Sequence, residues 1–309
     1  MKSLLLLLAG TLLTLNVLAE AGGIPAPRVV QVTPRIHALL GPTELPNTQN
    51  QGYMVNSILL VGDAGAILVD TGFSDEIGAH LARTVAGITD KPVTHVINTH
   101  HHGDHSLGNA AFPQARFVSS EDCRRLLESA GPEWIALIEG VLGRKLPNTR
   151  LVPATQTYAK DSKTALTLNG IPMVMWVPKA AHTQGDLMIW LPDDGVLLSG
   201  DVIVNQTLPN FRDAHLKSWI NTLAEVQTLP IRAIVPGHGP VMTQADAAAM
   251  QARMSQLYAG IEAGVKAGLT DSEVRKKLDL SAWKTLKHFD EQMGGNINKA
   301  YLEIEADSF

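Results

Sequence analysis

With a single cysteine, Cys123, the 309-residue chain cannot form an internal disulfide, so its stability must come from a packed core or a bound metal. Cys123 lies in "SSEDCRRLLESA", a helix pattern capped by Ser119 or Ser120, and reads as a half-buried helix residue rather than a nucleophile. No run of lysine and arginine accumulates, and the formal charge of -5 with a pI of about 6.1 argues against a nucleic-acid partner. Low-complexity tracts and short-period repeats are missing as well. The longest apolar run, "LLLLLAGTLLTLNVL" from Leu4 to Leu18, falls short of the roughly 20 residues that span a bilayer, so no stable membrane anchor is expected.

That run has another use. It follows the positive Met1-Lys2 start and precedes the small-x-small pattern Ala19-Glu20-Ala21, the layout of a secretory signal peptide over residues 1–21. Cleavage after Ala19 is the competing choice, and the absence of a following cysteine argues against a lipoprotein anchor. The expected destination is the periplasm. Of the whole chain, 45% is hydrophobic and 18% charged, a composition suited to a sizeable core.

Past the leader, strands and helices intermix. A strand is expected near Arg28 to Thr33, and "YMVNSILLVGDAGAILVDTG" reads as two strands joined at a Gly-Asp-Ala-Gly turn. Ile77, Leu81 and Val85, four apart, mark a helix, and Val93 to Asn98 a strand. "ARFVSS", helices over 121–142, the strand runs "TALTL", "IPMVMWV", "DLMIWLP" and "GVLLSGD", a helix from His215 to Thr228 and the strand "IRAIVP" follow. The class is α/β, with helices covering sheet faces.

From about Ala245 the texture changes. Met250, Met254, Leu257, Ile261 and Val265 lie on one face of a long helix, and "TDSE" at 270–273 is a capping box. "GGN" at 294–296 is expected to separate a helix running through Trp283 from a last one ending near Ile304. The domain reading is therefore a leader (1–21), a main domain (22–244) and a C-terminal helical extension (245–309).

The chemistry concentrates in "NTHHHGDHSLG". In an extended segment His100 and His102 project the same way and can reach one ion, whereas the adjacent Asp104 and His105 suit a second. Three further donors each lie just beyond an apolar strand: His182 in "KAAHTQGD", Asp201 in "LLSGD" and His238 in "VPGHGP". Singly, each has an ordinary use as a loop hydrogen bonder, a turn residue or a glycine-flanked turn. Four separate strand-end loops all offering metal ligands point to a metal centre.

These motifs resemble, in order and over about Val29 to Met242, those of the metallo-β-lactamase-fold metallohydrolases. The resemblance implies an αββα sandwich with the site along one edge. It implies that His100, His102 and His182 bind a first metal, that Asp104, His105 and His238 bind a second, and that Asp201 bridges them. It implies two zinc ions, with iron or manganese as alternatives, and a small-molecule substrate. Two such ions lower the pKa of bound water to about 7 and polarise a carbonyl or phosphoryl oxygen, so hydrolysis is the natural reaction, with Asp104 orienting the nucleophile or carrying a proton.

Asp70, in "ILVDTG", resembles the family's aspartate that holds a ligand histidine by its second nitrogen; a turn cap is the plainer use. His101 is expected to face away from the first metal. His95 reads as a surface or satisfied core histidine, Asn205 and Gln206 as pocket-lining or loop-packing residues, and Trp134, Trp190 and Trp219 as core.

Subgroup departures narrow the activity. The cysteine-ligand β-lactamases carry cysteine where Asp201 stands and a lysine soon after, but here "VIVNQ" follows. An aspartate at this place resembles glyoxalase II, lactonases and phosphodiesterases. Export argues against glyoxalase II and keeps β-lactams open. The leader, "SGDVIVN" and the ending "NINKAYLEIE" are similar to the quinoprotein relay system zinc metallohydrolases, a resemblance that implies a link to periplasmic quinoprotein oxidation. The expectation is a dinuclear zinc hydrolase of an ester, thioester, lactone or amide. An iron-dependent persulfide dioxygenase on the same scaffold and a non-catalytic metal-binding protein are the readings from other classes.

Overall fold

The computed structural model describes residues 23–307 and the backbone of Thr14–Leu15; the remainder of the expected leader lies outside the described residues. Two sheets form the centre. The first runs in sequence order through β1 (Thr14–Leu15), β2 (Arg28–Thr33), β3 (Ile36–Leu40), β4 (Ser57–Val61), β5 (Ala66–Val69), β6 (Val93–Ile97), β7 (Arg116–Ser120) and β8 (Gln156–Tyr158). Pairing is antiparallel up to β5 and parallel from β5 to β8. The second sheet has the order β13-β12-β11-β10-β9, made from β9 (Ser162–Leu168), β10 (Ile171–Val177), β11 (Met188–Leu191), β12 (Val196–Gly200) and β13 (Ala233–Pro236). Only its β12–β13 pair is parallel.

Side-chain alternation along the strands explains the layering. In β3, Ile36, Ala38 and Leu40 face the second sheet, whereas Leu39 joins the opposite core. In β11, Ile189 and Leu191 enter the inter-sheet layer while Met188 and Trp190 turn to the outer face. Strands such as "AILV" and "MIWL" are apolar at every position because both faces are covered. Outside the first sheet pack α1 (Asp75–Ala86) and α3 (Glu121–Leu142), through Ile77, Leu81, Val85 and Ile138. The second sheet is covered by α4 (Leu216–Val226), α5 (Gln244–Lys266), α6 (Asp271–Lys277) and α7 (Phe289–Asp307), which share one core with it. The result is the αββα sandwich, with the C-terminal helices seated on its second face.

Three local expectations are corrected. One helix, α3, runs unbroken through Pro132; Ser120 caps it by accepting from Cys123 N at 2.9 Å, and Cys123 is fully buried, not half-buried. The last helix is continuous across Gly294 and Gly295, and the chain near Trp283 forms turns instead. A Gly pair costs a helix roughly 1–2 kcal/mol, but burial offsets it here. Met293, Ile297, Ala300 and Ile304 pack into the core, and Asn296 donates to Pro209 O (2.7 Å) and accepts from Phe211 N (2.9 Å).

Among the described residues no helix is long and apolar enough to cross a membrane.

Candidate metal centre and substrate pocket

Strand β6 delivers the histidine loop to the edge of the sandwich. The ends of that loop clasp each other: Asn109 Nδ2 donates to Asn98 Oδ1 (2.8 Å), and Asn98 Nδ2 donates to Asn109 Oδ1 and to His105 O. Between them the one-turn helix α2 (Gly103–Ser106) begins after His102, whose extended backbone ends the strand-like part of the loop. This change of conformation separates the donors. His100 and His102 leave from extended chain, Asp104 and His105 from the turn.

The later donors arrive from the second sheet. His182 lies in the loop from β10 to β11, Asp201 follows β12 and His238 follows β13. Asp186 shapes the first of these loops by accepting from Thr183 N (2.9 Å) and Thr183 Oγ1 (2.7 Å). Asn56, fully buried before β4, donates to Pro236 O (2.9 Å) and Gly239 O (2.7 Å), joining the first sheet to the His238 loop. Glycine is required beside Asp201: a Cβ on Gly237 would stand 1.9 Å from Asp201 Oδ1.

All seven expected ligands converge. His100, His102 and His182 form one group of donors, and Asp104, His105 and His238 another; within each, the donor atoms lie within 4.8 Å of one another. Asp201 lies between the two, with Oδ2 3.6 Å from His182 Nε2 and 3.3 Å from His238 Nε2, and Oδ1 3.4 Å from His105 Nε2. Asp104 Oδ2 is 3.3 Å from His238 Nε2 and 3.5 Å from His105 Nε2.

Second nitrogens are tied elsewhere, which aims the free ones inward. His105 Nδ1 meets Asp70 Oδ2 at 2.7 Å, and Asp70 also accepts from Thr99 N (2.8 Å) and Thr99 Oγ1 (2.7 Å). His182 Nδ1 donates to Asn210 O (3.1 Å), and His238 Nδ1 to Met54 O (3.0 Å). His102 is reversed: its Nε2 meets Asp213 Oδ2 at 2.9 Å, so Nδ1 faces the cluster, 3.1 Å from His182 Nε2.

The donor set fits metal ions. His100 Nε2, His105 Nε2 and Asp201 Oδ1 are buried with no hydrogen-bond partner, a costly state for an apolar interior. Burial and the neighbouring imidazoles hold His100 well below the usual histidine pKa, and burial lowers His102 to about 4 despite Asp213. Both are therefore neutral, the form that ligates. Around the second group the carboxylates draw in positive charge. Burial opposes protonation of His238, but Asp201 and Asp104 outweigh it and raise its pKa to about 10; His105 is likewise held well above its usual value. A cation among these atoms meets the same electrostatic demand.

Asp213 gave no sequence signal, since its link to His102 joins residues far apart in the chain. Replacing Asp213 with alanine is expected to weaken metal binding 10- to 100-fold, because His102 loses the partner that orients it. Competition against a chromophoric chelator measures this, and unchanged affinity would remove Asp213 from the role.

His101 is buried, with Nδ1 unpartnered, and groups with His102 and Asp213 rather than with the six residues of the two donor groups above. His95 is partly buried, with its ring beside Thr94 Oγ1 at 2.9 Å. Asn205 serves loop packing by donating to Pro240 O (3.0 Å), and neither it nor Gln206 lines the cavity over the donors. Trp190 and Trp219 are core residues; Trp134 is partly buried, packed against the outer core of the first sheet, and serves a second role. It lies in the cavity wall under the Arg212 guanidinium, which stacks 4.5 Å from its ring centre. The cavity measures about 220 Å³, and His102, Asp104, His182, Asp201 and His238 form its floor.

Comparison with known proteins agrees with this architecture. The family model of the metallo-beta-lactamase superfamily matches residues 50–238. The type 2 metallo-beta-lactamase of Bacillus cereus is 26% identical over 204 residues, covering 64% of this chain and 72% of that enzyme. The linear primary-alkylsulfatase of Pseudomonas sp. (strain ATCC 19151) is 25% identical over 260 residues, 70% of this chain and 48% of that protein, so the chain spans about half of it. Among solved structures, the metallo-beta-lactamase FIM-1 from Pseudomonas aeruginosa superposes with a TM-score of 0.60 at 21% identity, covering 76% of this chain and 96% of that one. The sec-alkyl sulfatase PisA1 gives 0.70 at 17% identity, covering 90% of this chain and 50% of that one.

Proposed function

The chain belongs to the metallo-beta-lactamase superfamily, and from that premise we propose that it is an exported dinuclear zinc hydrolase acting on an ester, thioester, lactone or amide. The observation that carries the reading is the pair of buried donor groups with Asp201 between them. His100, His102 and His182 would hold one ion, Asp104, His105 and His238 the other, and Asp201 both. Zinc, when bound, supplies a Lewis acid and lowers the pKa of water toward neutrality.

The side chains supply the rest. Asp70, Asp213, Asn210 O and Met54 O fix the imidazole orientations, so the donors need little rearrangement. Burial favours the neutral acid of Asp104, but His105 and His238 outweigh it and keep the carboxylate ionised. From the cavity floor Asp104 can take a proton from the attacking water and return it to the leaving group. Phe73, Trp134 and Leu208 line the cavity with apolar surface that limits water around the reacting bond. The leader sequence supports export to the periplasm, and β-lactams are the first amides to try because several relatives are β-lactamases.

Purified protein is expected to carry close to two zinc ions per chain and to turn over at least one member of a panel of lactones, thioesters and a chromogenic cephalosporin. Iron near one equivalent, with oxygen uptake on a persulfide, would overturn the hydrolase reading.

A further inference from the structure

Residues 209–213 lead from the Asp201 loop toward α4, and the stretch is pinned along its length. Asn296 of α7 donates to Pro209 O (2.7 Å) and accepts from Phe211 N (2.9 Å), and the Phe211 ring is buried against Trp219. Asn210 O accepts from His182 and Asp213 meets His102, so the same stretch orients two of the candidate ligands. Asn210 Oδ1 accepts from Arg212 N at 2.9 Å, an Asx turn at the residue that joins the cavity wall. Arg212 is therefore presented from rigid backbone.

Among the described residues, Arg212 is the only lysine or arginine in that wall. Its side chain is 52% exposed, and its one bond to another side chain runs from Nε to Asp213 Oδ2 at 3.2 Å. Nη1 and Nη2 are left with no partner among the described residues. That edge of a guanidinium is a planar fork, matched to a carboxylate by two parallel N–H···O bonds. Trp134 fixes its plane, with the guanidinium 4.5 Å from the ring centre. The same indole stands 5.0 Å from the His102 ring, so the fork is held beside the first donor group. Asp213 offsets part of the charge, but its Oδ2 is shared with His102 Nε2.

Beside the fork the wall turns apolar. Leu137 follows Trp134 by three residues on α3 and so shares its face; it lines the cavity with Leu45, Pro46 and Phe73. At 42% exposure Leu137 is one of two exposed large hydrophobic residues among those described. Covering that surface is favourable for a bound apolar group. We propose that Arg212, stacked on Trp134, is the anion subsite of the pocket, and that the substrate carries a carboxylate on an apolar body that covers Leu137. Because Asp213 links Arg212 to His102, this carboxylate is a second group of the substrate, apart from the bond that is cleaved. The proposal rests on the hydrolase reading for what happens to the substrate, but not for what binds.

Two measurements on the zinc-loaded protein test it. By calorimetry, wild type is expected to bind phenylbutyrate at least about tenfold more tightly than phenylbutanamide, its neutral counterpart. Arg212→Gln should abolish that preference, and Arg212→Lys should keep part of it, since an ammonium retains the charge but not the fork. Trp134→Leu, which leaves the Asp213 contact in place, should reduce the preference about two- to fivefold. Equal affinities in wild type would overturn the subsite. A preference that survives Arg212→Gln would overturn it too, placing the carboxylate on the ions instead. Metal content is measured beside each variant, because Arg212 touches Asp213; loss of zinc together with both probes would replace the subsite by a structural role. The second measurement compares kcat/KM for the p-nitrophenyl monoester of glutaric acid with that for p-nitrophenyl pentanoate. Arg212→Gln should lower this ratio by about tenfold or more, through KM, and an unchanged ratio would overturn the effect on substrate choice. Wild-type protein inert on both esters and on the panel above would sink the hydrolase reading, and the phenylbutyrate comparison would then decide Arg212 alone.

Discussion

Replacing Asp201 with alanine is expected to lower turnover by at least about a thousandfold, equivalent to about 4 kcal/mol of transition-state stabilisation, and to release metal from both donor groups at once. The reason is its position. Its two oxygens lie 3.3–3.6 Å from His105, His182 and His238, so one carboxylate balances charge for both halves of the site. The paired carboxylates and the ions depend on each other: without Asp201, His238 loses the first of the charges that raise its pKa. Asp201→Asn keeps the shape but not the charge and should fail nearly as badly. Asp201→Cys offers a thiolate, a good zinc ligand, and should retain more metal than either. Elemental analysis beside turnover separates the three. An Asp201→Ala protein that keeps two ions and half its activity would refute the shared-ligand role.

The second large effect concerns stability. Asp70 is 1% exposed and accepts from Thr99 N, Thr99 Oγ1 and His105 Nδ1. Burial pushes its pKa up, against the opposing pull of His105, so the carboxylate is retained only because its partners surround it. Asp70→Ala strands three polar groups in the interior and should cost about 3–5 kcal/mol, lowering the melting temperature by roughly 10 °C. The backbone adds to this, because Asp70 sits at φ 58, a conformation that aspartate and asparagine tolerate better than alanine. Asp70→Asn keeps that tolerance and one acceptor, so it should recover more than half the loss. A melting curve for Asp70→Ala within 2–3 °C of wild type would show that the network is dispensable.

The candidate ligands were legible because each belongs to a short motif at the end of an apolar strand. The spacing His100-x-His102 against Asp104-His105 also carried the division into two groups, since extended and helical backbone send side chains different ways. What supports them was not legible. Met54 and Asn210 contribute backbone carbonyls, which any residue type could offer. Asp213 meets His102 only once the second sheet is in place, and Trp134 looked like core because a tryptophan pattern cannot tell a core from a pocket wall. The Gly294-Gly295 pair misled for a related reason. Local propensity favours a break, but Asn296 and the apolar stripe around it gain more from one straight helix.

Gly237 approaches Asp201 so closely that no side chain fits between them. The loop after β13 and the loop after β12 are also tied by hydrogen bonds, from Gly237 N to Gly200 O (2.8 Å) and from Asn205 N to His238 O (3.0 Å). Asn56 fastens the loop after β13 to the opposite sheet. A chain without disulfides thus has its two halves clamped at the edge where the donors meet. An ion held there is a tether between distant stretches of chain, lowering the entropy available to any partly opened state. Metal loading is therefore expected to raise resistance to proteolysis, and limited digestion with and without a chelator checks it.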